Sequence, residues 1–467
     1  MTEFAEVTEA DWRRLAEKAL AGAPFEQLVS ATDDGVAYGP VHAAAPVRPI
    51  LRGEAAPWSI AQRLDDPDPA RANEQALVDL DGGADALVLV IEDAPTAHGF
   101  GLTFDEIGRA LEGVMLDMIH LRIEAGDSPA LVTQQLREIA DEQRLTVDSL
   151  DLDLCTDPLG SLALTGKFST DDIDLTESSG ECFEAYIGQG FRGRLFEADG
   201  RVYHEAGASE AQELGAVLAS AVYALRIMEN RGEIFQYLPT NIGFTLAADQ
   251  KQFHVMAKLR ALRLLWQRVQ ALSGIETPAP ARLHVETSRR MMAAVDPHTN
   301  ILRTTIAAFA AATGGADRIV VLPFTAANGL PEAKARRLAR NTQLILRDEA
   351  GLGYVGDPAA GSGGIAALTE GMAAAAWREF QAIEREGGLF ASLRDGHLQR
   401  RIHATAAARA EAIADKREPI VGVSLYPLAT PRDIAVLMPR GAPPAAGEQS
   451  GLALRPLRLS EALESTQ

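Results

Sequence analysis

The polar side chains placed best for chemistry lie between residues 282 and 349. Two β-branched runs, Leu283–Thr287 and Arg318–Phe324, each end in a polar cluster. In a parallel α/β fold such clusters sit at the carboxyl ends of strands, where ligands bind. Candidate ligand contacts are Arg282 at the first run and Asn341 and Gln343 in the helical pattern after the second. A salt-bridged arginine and inter-helix hydrogen bonds are the structural alternatives.

Other side chains that could take part in chemistry are not spaced in a pattern that indicates a functional site. Arg289-Arg290 could meet a phosphate or a partner's acidic surface, or form a solvated pair. Cys155 and Cys182 do not form a CxxC pair, and the histidines show no metal-ligand spacing. GLGYVG (residues 351–356) matches GxGxxG, but it follows a helical pattern and precedes Asp-Pro, which is the wrong context for a dinucleotide site.

Composition narrows the class of partner. The 467 residues carry a formal net charge of −21, which argues against binding to nucleic acid or to anionic membranes. No apolar run approaches the 18 or so residues of a membrane span, and the N-terminus does not resemble a signal peptide. We therefore expect a cytoplasmic protein.

The apolar runs alternate with helical patterns, which predicts a (β/α)₈ TIM barrel, with a doubly wound open sheet as the alternative. The eight predicted strands are Ala86–Glu92, Val114–Ile123, Leu150–Leu154, Arg194–Ala198, Ile242–Ala247, Arg282–Thr287, Ile319–Phe324 and Ile420–Ser424.

The two ends of the chain differ from this pattern. We expect residues 1–73 to form an N-terminal arm that contacts either this barrel or a partner subunit. Residues 74–427 would form the barrel, and residues 428–467, rich in proline and alanine, a linker that leads to a short terminal helix.

Three phrases carry a family resemblance: TSRR…DP…N.LRTT, ARRLARNTQ…L.DEAG and DPAAGSGG. They resemble the acyl-CoA-binding barrel of the adenosylcobalamin-dependent acyl-CoA mutases, methylmalonyl-CoA mutase above all. The resemblance implies a barrel that threads the pantetheine of an acyl-CoA, with a corrinoid across its carboxyl-terminal face. It also implies that Arg282 contacts coenzyme A and that Glu349 faces the corrinoid.

Two departures from the family's catalytic chains stand out. No DxHxxG phrase, whose histidine ligates cobalt, occurs in the sequence, so we expect no cobalamin-binding Rossmann-like domain. The segment DAPTAHGFGLTFDEIG also lacks the arginine and tyrosine of the family's RQYAGF-like phrase. Those groups position the substrate for the radical rearrangement.

A third difference concerns the family's GYHMQEAGA-like phrase, whose histidine contacts the thioester carbonyl. Here the phrase is GRVYHEAGA. Without gaps the catalytic position falls on Val202, whereas a two-residue gap would place His204 there.

The pattern is closest to the small, non-catalytic subunit of the heterodimeric members. It implies a larger catalytic subunit as partner, which would hold most of the adenosylcobalamin and interconvert (R)-methylmalonyl-CoA and succinyl-CoA. Two alternatives stay open. One is the substrate barrel of a split cobalamin-dependent mutase for another acyl group, which a barrel plugged by side chains would exclude. The other is a stand-alone acyl-CoA-binding barrel.

Overall fold

Eight short parallel strands close into a barrel in the computed structural model, which describes residues 7–50, 52, 56–126, 129–168, 171–231, 235–428, 434–440 and 451–464. The barrel strands, here numbered in chain order, are β1 Ser59–Leu64, β2 Ala86–Val90, β3 His120–Glu124, β4 Asp151–Thr156, β5 Arg194–Asp199, β6 Ile242–Ala248, β7 Leu283–Thr287 and β8 Arg318–Val320. The strand β8 pairs with both β7 and β1, which closes the sheet. The predicted (β/α)₈ TIM barrel is confirmed.

Helices surround the barrel, and their ends carry recognisable caps. Ser209 forms a capping box with Gln212 at the start of Glu210–Glu229, and Gly315 takes a left-handed conformation after Thr299–Gly314. The α-helices are Glu9–Ala19, Pro69–Asp81, Ile107–Ala110, Pro129–Glu142, Pro158–Thr165, Asp172–Gly188, Arg201–Glu205, Glu210–Glu229, Gln252–Leu272, Thr299–Gly314, Ala333–Leu344, Gly363–Arg385, Leu389–Arg394, His397–Ala414 and Glu461–Glu464.

The strands alternate between two environments. Outward residues such as Leu121 and Ile123 of β3 join the main hydrophobic core beneath the helices. The intervening residues of β3, His120, Arg122 and Glu124, are also buried although all three are polar or charged. Successive strand residues point to opposite faces, so these polar side chains project into the barrel.

Three predicted strands need correction, and one strand was missed. Val114–Ile123 is a strand only from His120 onward, and Ile319–Phe324 only as far as Val320. Ile420–Ser424 is not a barrel strand but a turn, in which the backbone carbonyl of Ile420 accepts from Ser424 and Leu425. The first strand is instead Ser59–Leu64. Its Gln62 and Arg63 interrupt the apolar run in sequence, but Arg63 is neutralised by carboxylates inside the barrel. The barrel thus begins within residues 1–73, the segment expected to be an arm.

Part of the arm lies on this chain's own barrel. Asp33 pairs with Arg409, and a carboxylate oxygen of Asp34 accepts from the backbone N of Ala211 at 3.0 Å. Farther along the arm, Ile50 donates its backbone N–H to Asp357 at 2.8 Å. The helix Glu9–Ala19 differs, because it has no buried residue.

The end of the chain packs against the barrel instead of extending from it. The pair Met438–Pro439 lies antiparallel to Gly329–Leu330, just after β8. Leu454 is completely buried and donates its backbone N–H to Ala163 at 2.8 Å. The predicted terminal helix is present as Glu461–Glu464. Within the described residues, no helix combines the length and apolar character needed to cross a bilayer.

Candidate functional site

The carboxyl-terminal half of the barrel interior is filled by an ion network. Arg201 begins the helix after β5, and its guanidinium lies 2.6 Å from Glu124 of β3 and 3.4 Å from Glu286 of β7. Arg63 of β1 reaches Glu286 at 2.9 Å and Asp65 at 3.0 Å. Strands β3 and β7 are opposite one another in an eight-stranded barrel, so the Arg201 guanidinium spans its axis.

The middle of the interior is filled in the same way. Arg122 of β3 lies 3.2 Å from Glu197 of β5 and donates to the hydroxyl of Thr245 at 2.9 Å. That hydroxyl in turn donates to Glu197 at 2.5 Å. These side chains are at most 3% exposed, so their charges are compensated by one another and not by water.

A third group of charges closes the amino-terminal end. Asp153 of β4 lies 2.8 Å from Arg194 and 3.2 Å from Arg318. The imidazole of His120 is 3.3 Å from the same carboxylate. The interior is therefore occupied by side chains of the strands and of Arg201, most of the charged ones in ion pairs.

Ion pairs inside the barrel lower the pKa values of two of its carboxyl groups. Burial favours the neutral form of Glu124, but Arg201, Arg63 and Arg122 outweigh it and hold the pKa of that carboxyl at about 2. Arg194 and His120 likewise overcome burial to lower the pKa of Asp153 well below its usual value. Both carboxylates are thus held in their charged forms at neutral pH.

Small cavities lie between the described side chains at the carboxyl-terminal mouth. One of about 30 Å³ lies among Gln62, Arg63, His98 and Arg289. Another, of about 20 Å³, is lined by residues that include Cys155. Because one water molecule needs roughly 10–15 Å³, the larger cavity has room for about two or three waters and the smaller for about one or two, so neither admits a pantetheine chain.

Comparison with known proteins gives a consistent assignment. The family model described as methylmalonyl-CoA mutase matches residues 52–439. The chain is 40% identical to the methylmalonyl-CoA mutase small subunit of Streptomyces virginiae, over 95% of this chain and 74% of that protein. It is 32% identical to the small subunit from Propionibacterium freudenreichii subsp. shermanii, over 92% and 70%.

The chain belongs to the methylmalonyl-CoA mutase family. A protein named methylmalonyl-CoA mutase, from Cereibacter sphaeroides, is also similar, at 27% identity over 91% of this chain and 65% of that protein. The family expectation inferred from the three sequence phrases is confirmed.

The family resemblance implies ligand contacts for the predicted site residues, and the structure shows where each of these residues lies. Arg282 directly precedes β7, at the amino-terminal end of the barrel. Asn341 is half-buried on the helix Ala333–Leu344. Gln343 is completely buried, and its side-chain oxygen accepts from the indole N–H of Trp58 at 3.2 Å. Ligand contacts at these residues stay a prediction.

Glu349 is exposed at the end of the π-helical turn Ile345–Glu349. In that turn, Arg347 pairs at 2.6 Å with Asp85, the residue before β2. This contact places the turn at the amino-terminal end of the barrel, opposite the face on which the family resemblance places the corrinoid. The structure thus brings none of the four predicted residues to the mouth.

Two side chains of the phrase GRVYHEAGA lie in different surroundings. Val202 lines the smaller cavity at the mouth. His204 points away, with its Nε2 2.8 Å from the Ser288 hydroxyl and its Nδ1 3.2 Å from Glu213. Val202 therefore lies at the mouth and His204 does not, and which of the two corresponds to the family's catalytic histidine stays a prediction.

Residues 451–464, here called the tail, cross the carboxyl-terminal face of the barrel. The family resemblance places the corrinoid on this face. Backbone N–H groups of Leu457 and Leu459 donate to Glu205 and Arg290 at 2.9 Å, in segments that follow β5 and β7. Glu464 accepts from the backbone N of Ala294 at 2.8 Å. A flat macrocycle cannot rest on these segments without displacing the tail, so the described residues do not fit a cobalamin at this face.

Sequence reasoning missed the charged residues that fill the barrel. Their signal was present as alternation with a period of two, in HLRIE of β3 and DLDLCT of β4. The apolar partners in those strands were used to predict strands, but the charged alternates were not assigned to the barrel interior. Arg201 had no such signal because it lies outside a strand.

Proposed function

We propose that this chain is the small, non-catalytic subunit of methylmalonyl-CoA mutase. In the complex, a larger subunit would carry out the cobalamin-dependent radical interconversion of (R)-methylmalonyl-CoA and succinyl-CoA. This chain would stabilise that subunit in the cytoplasm. Membership of the family and the names of the similar proteins support this assignment.

The observation that carries the non-catalytic role is the filled barrel. A catalytic mutase barrel must admit the pantetheine arm along its axis, but here Arg201 lies on that axis between Glu124 and Glu286. Opening a channel would leave buried carboxylates unpaired, and breaking a buried ion pair is strongly unfavourable. The same observation counts against both alternatives, because a split mutase and an acyl-CoA-binding barrel each need an open channel.

The adenosylcobalamin of the complex would be held mainly by the partner. When bound there, the cofactor supplies the 5′-deoxyadenosyl radical that starts the rearrangement. The tail over the mouth supports the view that this chain contributes no group to the chemistry, as would a register that places Val202 at the catalytic histidine position.

The helix Glu9–Ala19 is our candidate for the contact with the larger subunit. It has a defined N-cap at Thr8 and an edge-to-face contact between Trp12 and Phe25, but none of its residues is buried. Leu15 is 60% exposed. An ordered amphipathic helix without a buried face needs another surface to become stable.

The test is co-expression of this chain with the larger mutase subunit of the same host. The purified complex, each subunit alone and an equimolar mixture are assayed with adenosylcobalamin and (R)-methylmalonyl-CoA. Activity should require the larger subunit, and this chain alone should neither turn over nor bind the acyl-CoA in calorimetry.

Two outcomes would contradict the proposal. Turnover by this chain with a separate small corrinoid protein would establish a split mutase. Micromolar binding of acyl-CoA to the isolated chain, with no association with a larger subunit, would establish an acyl-CoA-binding protein.

A further inference from the structure

Two arginines at the barrel mouth lack counter-ions. Arg289 follows β7 and is 7% exposed, and its Nε and Nη2 atoms have no hydrogen-bond partner. Arg440 follows the short strand Met438–Pro439. Among residues 7–50, 52, 56–126, 129–168, 171–231, 235–428, 434–440 and 451–464, neither guanidinium has a carboxylate within ion-pair distance. Most buried charges in proteins are paired.

The two guanidinium groups influence one another. Burial and the nearby Arg440 lower the pKa of Arg289 to about 9, although Glu205 partly opposes this. The other large buried arginines of the barrel, such as Arg63 and Arg201, have raised pKa values because carboxylates contact them. Arg289 still carries its proton at neutral pH, so its charge persists without a direct partner.

The larger cavity at the mouth lies directly beside Arg289. Its volume is about 30 Å³, and it is also lined by Gln62, whose side-chain nitrogen has no partner. His98 lines it as well, and burial lowers the pKa of His98 so that it is neutral. Two unsatisfied donor side chains, one of them cationic, therefore face the same small space.

Most of the carboxylates around the cavity contact side chains other than Arg289. Asp65 and Glu286 both bind Arg63, at 3.0 and 2.9 Å, although one oxygen of Asp65 has no partner. Glu205 lies 3.5 Å from His98, and burial raises its pKa to about 7. The other cation in the lining, Arg336, is bound at 2.5 Å to Asp79.

We propose that this cavity binds a small monovalent anion, of halide or formate size, between the guanidinium of Arg289 and the side-chain amide of Gln62. The volume excludes larger ligands. A guanidinium with two unpartnered donor nitrogens recognises a carboxylate or a halide, whereas water would leave the buried charge uncompensated. This proposal is independent of the catalytic status of the chain.

The test measures stability of the full-length chain in chloride-free sodium gluconate buffer at pH 7, because gluconate is too large for the cavity. Gluconate is replaced by bromide or formate at constant ionic strength while thermal unfolding is followed. Binding to the folded state should give a saturable rise in Tm of roughly 2–5 °C. In Arg289→Met the rise should disappear, and its Tm in gluconate should be no lower than that of the unsubstituted chain.

The matched control is Arg137→Met, which removes an exposed arginine of the helix Pro129–Glu142 and should keep the full anion effect. Crystals soaked in bromide should show an anomalous peak within hydrogen-bond distance of Arg289. An unchanged Tm in the unsubstituted chain, or an equal rise in Arg289→Met, overturns the proposal. Ordered water without bromide at this position would do the same.

Discussion

The guanidinium of Arg201 lies 2.6 Å from the carboxylate of Glu124, and both side chains are almost completely buried on the barrel axis. The family resemblance implies that a catalytic barrel leaves that axis open for an acyl-CoA. In this chain, the ion pair and the contact of Arg201 with Glu286 place the protein's own side chains on that axis.

Arg201→Ala should lower the free energy of unfolding by about 3–5 kcal/mol, because Glu124, Asp199 and Glu286 lose a shared buried partner. Urea denaturation followed by circular dichroism measures the loss. The control Arg137→Ala removes an exposed arginine and should change stability by no more than about 0.5 kcal/mol. A loss in Arg201→Ala as small as that in the control would show that water compensates these carboxylates.

His204 should make stability depend on pH. Burial and the nearby Arg290 and Lys258 lower its pKa well below 6.5, so the folded state keeps the ring neutral. The unfolded chain takes up a proton as the pH falls through about 6.5, and stability therefore falls in the same direction. The stability difference between the unsubstituted chain and His204→Gln should grow as the pH rises from 5 to 6.5, and then level off.

Denaturant titrations at half-unit pH steps measure that difference. His403→Gln alters an exposed histidine and should track the unsubstituted chain throughout. In the complex, His204→Gln should also leave the mutase kcat unchanged, because His204 binds Ser288 and Glu213 and does not face the barrel axis. A pH-independent difference would mean that His204 titrates normally in the folded protein.

Asp34 should make stability depend on pH in the opposite direction. Burial and the neighbouring Glu210 raise its pKa to about 6, although hydrogen bonds from Ser209 and Ala211 oppose the rise. Between pH 4 and 6 the folded chain keeps a proton that the unfolded chain has released, so stability falls as the pH rises. Relative to Asp34→Asn, the unsubstituted chain should lose about 2–3 kcal/mol over this range.

Paired denaturation curves at pH 4, 5, 6 and 7 measure this loss as the difference between the two proteins, which removes the contribution of all other titrating groups. The difference should be constant above pH 7. If it does not change between pH 4 and 6, Asp34 is solvated and the arm is not held against the start of Glu210–Glu229.

Leu15→Asp should separate folding from assembly. Leu15 is 60% exposed on a helix with no buried residue, so the substitution should leave the Tm of the isolated chain within about 1 °C. If the helix docks on the larger subunit, the Kd of the complex should rise roughly tenfold or more, since a charge would replace a buried leucine. Surface plasmon resonance with the immobilised larger subunit measures this change.

Lys18→Ala lies on the same helix at an exposed position and serves as the control for helix stability. It should bind the larger subunit as the unsubstituted chain does. Equal affinity of Leu15→Asp and Lys18→Ala would exclude this helix from the interface.

The amino-acid sequence alone determined the barrel and the family. Continuous apolar segments such as Ala86–Val90 predict buried parallel strands because their residues contact apolar neighbours on both faces. The phrases around Thr287 and Asp357 predict the family by their order and spacing. Both signals are local, so they are readable without knowledge of how distant segments meet.

Only the tertiary structure decided what fills the barrel. Arg201 and Glu124 are separated by 77 positions, and the sequence around either residue does not indicate that the other is its partner. Arg63 interrupts an apolar run and so concealed the first strand, although barrel closure brings Glu286 and Asp65 to neutralise it. Pairing between buried charges depends on which side chains meet when the sheet closes, and that geometry is a property of the whole fold.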